Sequence, residues 1–210
     1  MPPPRFDAVI LGAGAAGLFC AAQAGQRGLR VLVIDHSERI AEKVRISGGG
    51  RANFTNRDLD PAAPHKHFIS ANPHFCRSAL ARFTPQHFIA LLDRHGVPWH
   101  EKHKGQLFCD RSAEDLIALL LAECAAAPAH GGLVERWQPC RVQSVQFQAK
   151  EAASADAASA GSYLIDSDRG PIEAPALVIA TGGLSIPKIG ASGLGLDIAR
   201  QFGLKIIDTR

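Results

Sequence analysis

The sequence predicts an α/β fold, a mostly parallel sheet with helices on both faces and an antiparallel β-meander late in the chain. Three observations carry this expectation. The stretch "FDAVILGAGAAGLFCAAQAGQRGLRVLVID" runs apolar strand, glycine-rich turn, helix and second apolar strand, the βαβ unit that sets two strands parallel. The run "ALVIATGG" ends on Thr181, Gly182 and Gly183, as a buried strand does where a ligand approaches the turn after it. Between them, about residues 141–176, short segments alternate only partly, as a meander does.

Taken in order, the first strand is expected over residues 6–11, the helix to about residue 28 and the second strand to Asp35. Helical patterns follow at 73–83, 85–95 and 113–127. The last is opened by Ser112 with Asp115 three residues on, the spacing of a capping box. Between the last two, "VPWHEKHKGQLFCD" reads as an irregular hairpin, so residues 57–111 form an excursion from the sheet. Residues 133–137 suit a third parallel strand, and 142–147 and 163–166 suit strands of the meander. The alanine- and serine-rich "KEAASADAASAG" between those two is expected to be an extended, mobile hairpin tip.

At 210 residues and 46% apolar, the chain has the length and composition of one domain with a core. Its 23 basic and 20 acidic residues, net +3, form no basic block, so neither nucleic acid nor membrane is expected as a partner. Five cysteines, odd in number and without a C-x-x-C pair, suit a reducing, cytoplasmic setting better than a disulfide scaffold. The apolar run after Asp7 is interrupted by glycines and reads as strand and helix rather than as a signal peptide.

Gly12, Gly14 and Gly17 form G-x-G-x-x-G after a strand and at a helix start, with Asp35 closing the next strand. That context binds a dinucleotide: the turn and helix start take a pyrophosphate, and the carboxylate takes ribose hydroxyls and repels a 2′-phosphate. NAD and FAD share the ADP portion, so this motif leaves both open. "KVRISGGGRANFTN" follows closely, and three glycines there let backbone lie against a flat ring or a pyrophosphate. Lys43 and Arg51 add charge suited to a diphosphate or a reduced, anionic flavin.

Nine histidines raise the question of a metal, chiefly His65, His67, His74 with Cys76, and His100, His103 with Cys109. None has a metal-site spacing, and no metal is expected. His100, His103 and Lys104 read as surface groups, Cys109 as a buried structural thiol and Lys188 as a solvated loop cation. No catalytic acid or base is assigned.

The combination of "GAGAAGL", "KVRISGGGRANFTN", "GQLFCDRSAEDL" and "ATGGLSIPKIGASGLGLDIARQFG" resembles the bacterial aminoacetone oxidase-like flavoproteins, a group that includes bile-acid-type enone reductases. The resemblance implies FAD, held by Gly12, Ala13, Gly14, Ala16, Gly17, Asp35 and His36 at its ADP half. It implies Lys43, Ser47, Gly48, Gly49, Gly50, Arg51 and Asn53 at the diphosphate and flavin, Thr181, Gly182 and Gly183 on the far side, and the Val142 backbone at the adenine. Two positions depart: Ala52 stands where such proteins commonly carry cysteine, and Leu194 stands between two glycines where they carry a polar or acidic residue. Such proteins are about twice as long, so their substrate domain and final flavin-covering segment are expected to be absent here. The implied activity is hydride transfer between FAD and a small amine, ketone or enone, with NAD(P)H or oxygen as partner. A non-catalytic nucleotide-binding fragment and an NAD-dependent dehydrogenase are the alternatives.

Overall fold

The computed structural model describes residues 3–69, 72–149, 161–184, 186 and 190–207. In chain order they form β1 (Ala8–Leu11), α1 (Ala15–Gly25), β2 (Arg30–Ile34), α2 (Glu42–Ile46), β3 (Asn53–Asn56), α3 (Arg77–Arg82), α4 (Pro85–Arg94), β4 (Trp99–Glu101) and β5 (Gln106–Cys109). Then come α5 (Ala113–Ala125), β6 (Leu133–Trp137), β7 (Val142–Ala149), β8 (Gly161–Ser167), β9 (Ile172–Ala174), β10 (Ala176–Ile179) and α6 (Leu194–Gln201). The chain divides into two compact units, one of Met1–Lys43 with Leu120–Arg210 and one of Val44–Leu119.

The first unit is built on a parallel sheet in the order β10-β1-β2-β6. Val9, Ile10, Leu11 and the Val31 to Ile34 run are all buried, because both faces of these strands are covered, and this is why they read as unbroken apolar runs. One face takes α1. A Cβ added to Gly17 would lie 3.4 Å from the Ile10 side chain and one on Gly25 would lie 2.6 Å from Val134, so small residues let the helix settle close. The Cys124 thiol of α5 donates to the Leu18 carbonyl at 3.4 Å on this side. On the other face Val9, Leu11, Leu32 and Ile34 share one core with Val145, Ile165 and Ile172 of the meander and Ile198 of α6. The expected arrangement, a parallel sheet flanked by helices with an antiparallel meander, is thus present, the meander being β7-β8-β9. The hairpin tip expected between β7 and β8 falls at 150–160, outside the described residues.

The second unit carries an antiparallel sheet in the order β3-β5-β4. Phe54 packs against Phe88 of α4 and Trp99 of β4, with centroids 5.9 and 6.4 Å away. The expected excursion over 57–111 lies inside this unit, which begins earlier and takes in the glycine triplet and β3. The capping box expected at Ser112 does not form. Ser112 Oγ accepts from the Glu114 amide at 3.1 Å, while the Asp115 carboxylate turns back to Arg111 at 3.0 Å, because a guanidinium is the stronger partner. A capping box does open α4, where the Thr84 hydroxyl accepts from the His87 amide and His87 Nδ1 from the Thr84 amide. Among the described residues no helix is long and apolar enough to cross a membrane.

Candidate functional site

β1 is the topological switch point of the parallel sheet: the chain moves from it through α1 to β2 on one side, and returns as β10 on the other. The crevice at the carboxyl end of such a strand is where open α/β sheets bind ligands. Here it is framed by Gly12 after β1, Asp35 and His36 after β2, Thr181 after β10 and Val142 at the start of β7, which line one recess. Ser192, Leu194 and Cys140 line it too.

The three motif glycines have different reasons to be there. Gly12 has φ +109, and its Cβ would fall 2.4 Å from the Ala180 carbonyl oxygen, so the end of β10 demands a glycine. A Cβ on Gly17 would fall 1.8 Å from the Gly12 carbonyl oxygen, so the fit of α1 to its own turn demands another. Gly14 caps α1 with φ −81, a value any residue adopts, and a Cβ there meets nothing within 4 Å. Among the described residues nothing needs Gly14 to be small, which fits an approaching ligand. The start of α1 has no side-chain cap and no acidic residue in its first turn, so its leading amides suit an anion; Ala16 is exposed there.

Asp35 is held on both oxygens. Oδ2 accepts from the Ala13 amide at 2.6 Å and Oδ1 from the Ser37 amide at 2.8 Å, which fixes the carboxylate against the glycine turn. A carboxylate has about four acceptor positions, so two remain for hydroxyl donors. His36 is tied through Nε2 to the Gly190 carbonyl at 2.8 Å. Gly182, at φ +74, and Gly183 would meet nothing within 4 Å among the described residues if given a Cβ.

Sequence reasoning missed the partners that shape this recess. Gly195, unassigned from its pattern, brings the first turn of α6 onto β10, since a Cβ there would fall 2.4 Å from Thr181 Oγ1. Gly193 accepts the Asp197 amide at 3.0 Å and starts that helix. The "GLG" spacing was the available signal. Burial pushes the Cys140 thiol above its ordinary pKa, so it stays protonated beside the recess. Lys188 lies outside the described residues.

The remaining expected residues belong to α2 and the second unit. Lys43 is exposed on α2. Gly48, Gly49 and Gly50 have φ of +58, +67 and +83, three successive left-handed residues that only glycine adopts cheaply. A Cβ on Gly48 would in addition strike the Phe108 ring at 2.7 Å. Ser47 anchors the loop: its hydroxyl donates to the Val44 carbonyl at 2.8 Å, and its carbonyl accepts from Gly50 and Ala52 at 3.0 and 3.1 Å. Beyond the loop, the Gly50 and Arg51 carbonyls accept the Ala113 and Cys109 amides. Arg51 is exposed and its guanidinium has no ion-pair partner among the described residues. Asn53 opens β3 and, with its amide oriented to satisfy both atoms, donates to the Leu107 and Thr55 carbonyls at 3.2 Å. Ala52, at the position where a cysteine was expected in relatives, is buried at φ +47.

His100 is not a plain surface group. Its Nδ1 lies 2.6 Å from Asp110 Oδ1, and its ring stacks on Phe108 at 6.2 Å. Burial pushes the Cys109 thiol up to about 11, in keeping with a structural role. Among the described residues no group of histidine, cysteine and carboxylate side chains is placed to hold a metal.

A family profile described as HI0933-like protein Rossmann domain matches residues 6–209. The chain belongs to that family. An HI0933-like Rossmann domain is an FAD-binding domain, of the kind that FAD-dependent oxidoreductases carry, so the cofactor expected from the sequence stands. The chain is 46% identical over 206 residues to the ribosomal RNA dihydrouridine synthase of Escherichia coli (strain K12), covering 98% of this chain and 46% of that protein. It is 41% identical over 202 residues to the Haemophilus influenzae protein of the same name, covering 96% and 46%. The 3-dehydro-bile acid delta(4,6)-reductase of Clostridium scindens is more distant, 26% identical over 92% of this chain and 43% of that one. The bile-acid side of the expected resemblance is therefore the weaker one. Among solved structures, glycine oxidase from Geobacillus kaustophilus shares the fold with TM-score 0.51, at 16% identity over 92% of this chain and 59% of that chain. This HI0933-like domain spans about half the length of the curated relatives it matches.

One expectation is overturned. The absence of a nucleic-acid partner does not stand against two relatives named for a ribosomal RNA substrate. The inference failed because it treated charge as evenly spread. Val44–Leu119 holds ten Lys or Arg against seven Asp or Glu, and the other unit holds thirteen against thirteen, so the whole net charge of +3 resides in the second unit.

Proposed function

We propose that this domain serves an FAD-dependent oxidoreductase that reduces uridine in ribosomal RNA to dihydrouridine, adding two hydrogens across the C5–C6 bond. The 46% identity across nearly the whole chain to a ribosomal RNA dihydrouridine synthase carries this reading. The chemistry of the recess supports the cofactor half of it.

In this reading, Gly12, Ala13, Gly14, Ala16 and Gly17 present the turn and the leading amides of α1 to the FAD diphosphate. Asp35 offers its two remaining acceptor positions to the ribose hydroxyls, and its charge disfavours a 2′-phosphate. His36, Val142 and Thr181 bound the adenosine side, while Gly182 and Gly183 leave room for close approach. Lys43, Ser47, Gly48, Gly49, Gly50, Arg51 and Asn53 are assigned to the diphosphate and flavin side, with Arg51 available to balance negative charge on a reduced ring. Bound there, FAD supplies hydride-transfer chemistry, replenished by a reductant such as NAD(P)H. A ribosomal RNA substrate also favours a cytoplasmic location.

The test is direct. The purified protein is expected to be yellow, to release FAD on denaturation, and, given NADPH or dithionite, to raise the dihydrouridine content of ribosomal RNA transcribed in vitro, read by nucleoside mass spectrometry. A flavin-loaded protein that leaves uridine unchanged with either reductant removes the RNA reading and keeps the cofactor one.

A further inference from the structure

Residues 61–92, within the second unit, contain no Asp or Glu; they carry Lys66, Arg77 and Arg82, four histidines and four phenylalanines. The structure turns much of this outward. Phe75 is 81% exposed and Phe68 45% exposed, unusual values for rings that normally bury most of their surface. Arg77 and Arg82 stand at the two ends of α3, a six-residue helix with no buried residue. Helices this short are not stable alone and owe their order to packing, yet α3 is half-buried only at Leu80 and leaves its other residues exposed. The His65 and His74 rings meet at 6.5 Å and join the turn before α3 to the segment holding Lys66. Phe83, just after α3, packs on His87 and Phe88 at 5.7 and 6.2 Å, which roots this surface in α4.

We propose that this basic and aromatic surface, formed by Lys66, Phe68, Phe75, Arg77 and Arg82, is the one on which single-stranded ribosomal RNA docks. The proposal rests on the RNA reading above. Cations from a stretch of sequence without acidic residues match the phosphate backbone, and protruding aromatic rings give bases a stacking platform without demanding a sequence. An apolar or neutral protein segment would cover the rings and leave Lys66, Arg77 and Arg82 with no counter-charge. Base chemistry also requires the target uridine to leave its helix, and an unpaired strand on aromatic rings is the form that presents it.

The test measures binding of a fluorescently labelled single-stranded oligouridylate to the FAD-loaded protein by anisotropy over a range of salt. Phe75→Ala is expected to weaken binding about tenfold. Arg77→Ala with Arg82→Ala is expected to flatten the slope of log K against log salt by about 1.4, two single-strand phosphate contacts. Arg27→Ala, an exposed cation of the first unit, serves as control and binds like the wild type. Bound flavin, read by its absorbance, stays unchanged in all of them. If the wild type binds and the Phe75 and arginine variants bind equally well, the face is wrong and the proposed function is untouched. If Phe75→Ala lowers thermal stability or flavin content, the ring is covered by protein and the assignment falls. If the wild type binds no RNA, the function and the surface fall together.

Discussion

Gly14 and Gly17 look alike in the motif and differ in what the fold asks of them. Gly17→Ala would drive a methyl into the Gly12 carbonyl, and is expected to destabilise the first unit by about 3 kcal/mol and abolish flavin retention. Gly14→Ala meets nothing within 4 Å among the described residues, so its denaturation midpoint should match the wild type while FAD affinity drops at least about tenfold. Equal FAD affinity in Gly14→Ala, measured by flavin fluorescence, would contradict the diphosphate assignment. The cysteines give a second contrast. Burial pushes the Cys109 and Cys124 thiols up to about 11 from the ordinary 9.0, so in the folded protein they keep their protons where the unfolded chain loses them. Stability from these groups is complete below pH 9 and declines as pH rises toward 11. Urea midpoints should fall across that interval, and iodoacetamide at pH 8 should leave both thiols unmodified in the native protein.

At the scale of elements, the βαβ unit was legible because its cues are local: an apolar run, glycines at fixed offsets, an acidic residue at the next strand end. The glycine triplet was legible as special but not in form. Its three left-handed residues form a turn wound around the Ser47 carbonyl, and Phe108, sixty positions further on, sets one of them. The hydrogen bonds that the Asn53 amide makes to the Leu107 and Thr55 carbonyls were not legible, because adjacency in sequence does not tell which strand will lie alongside. The capping box at Ser112 failed for a similar reason, since Arg111 competes for Asp115. The loop offers its own test. Gly49→Ala meets only backbone strain and should cost about 1–2 kcal/mol, whereas Gly48→Ala adds the collision with Phe108 and should cost about 1–3 kcal/mol more. Urea unfolding of the two variants checks the order.

For the whole molecule, the two units each hold one tryptophan, Trp99 in the second and Trp137 in the first. In a Trp99→Phe variant the remaining fluorescence reports the first unit alone. FAD at one hundred times its dissociation constant is expected to stabilise that transition by about 2.7 kcal/mol. No shift would move the cofactor away from the β1 turn. Charge was the quantity least legible from the sequence as a whole, because its partition between units depends on where the chain leaves and re-enters the sheet. That path also has a temporal meaning. β1 is made well before its neighbour β10, which pairs Ala176 with Ala8, and the Ala180 carbonyl beside Gly12 arrives with β10. A chain still emerging from the ribosome has its nucleotide turn long before the edge that braces it. Flavin capture therefore waits for β10, and nascent chains halted after Ser167 should emerge colourless however well their earlier segments have settled.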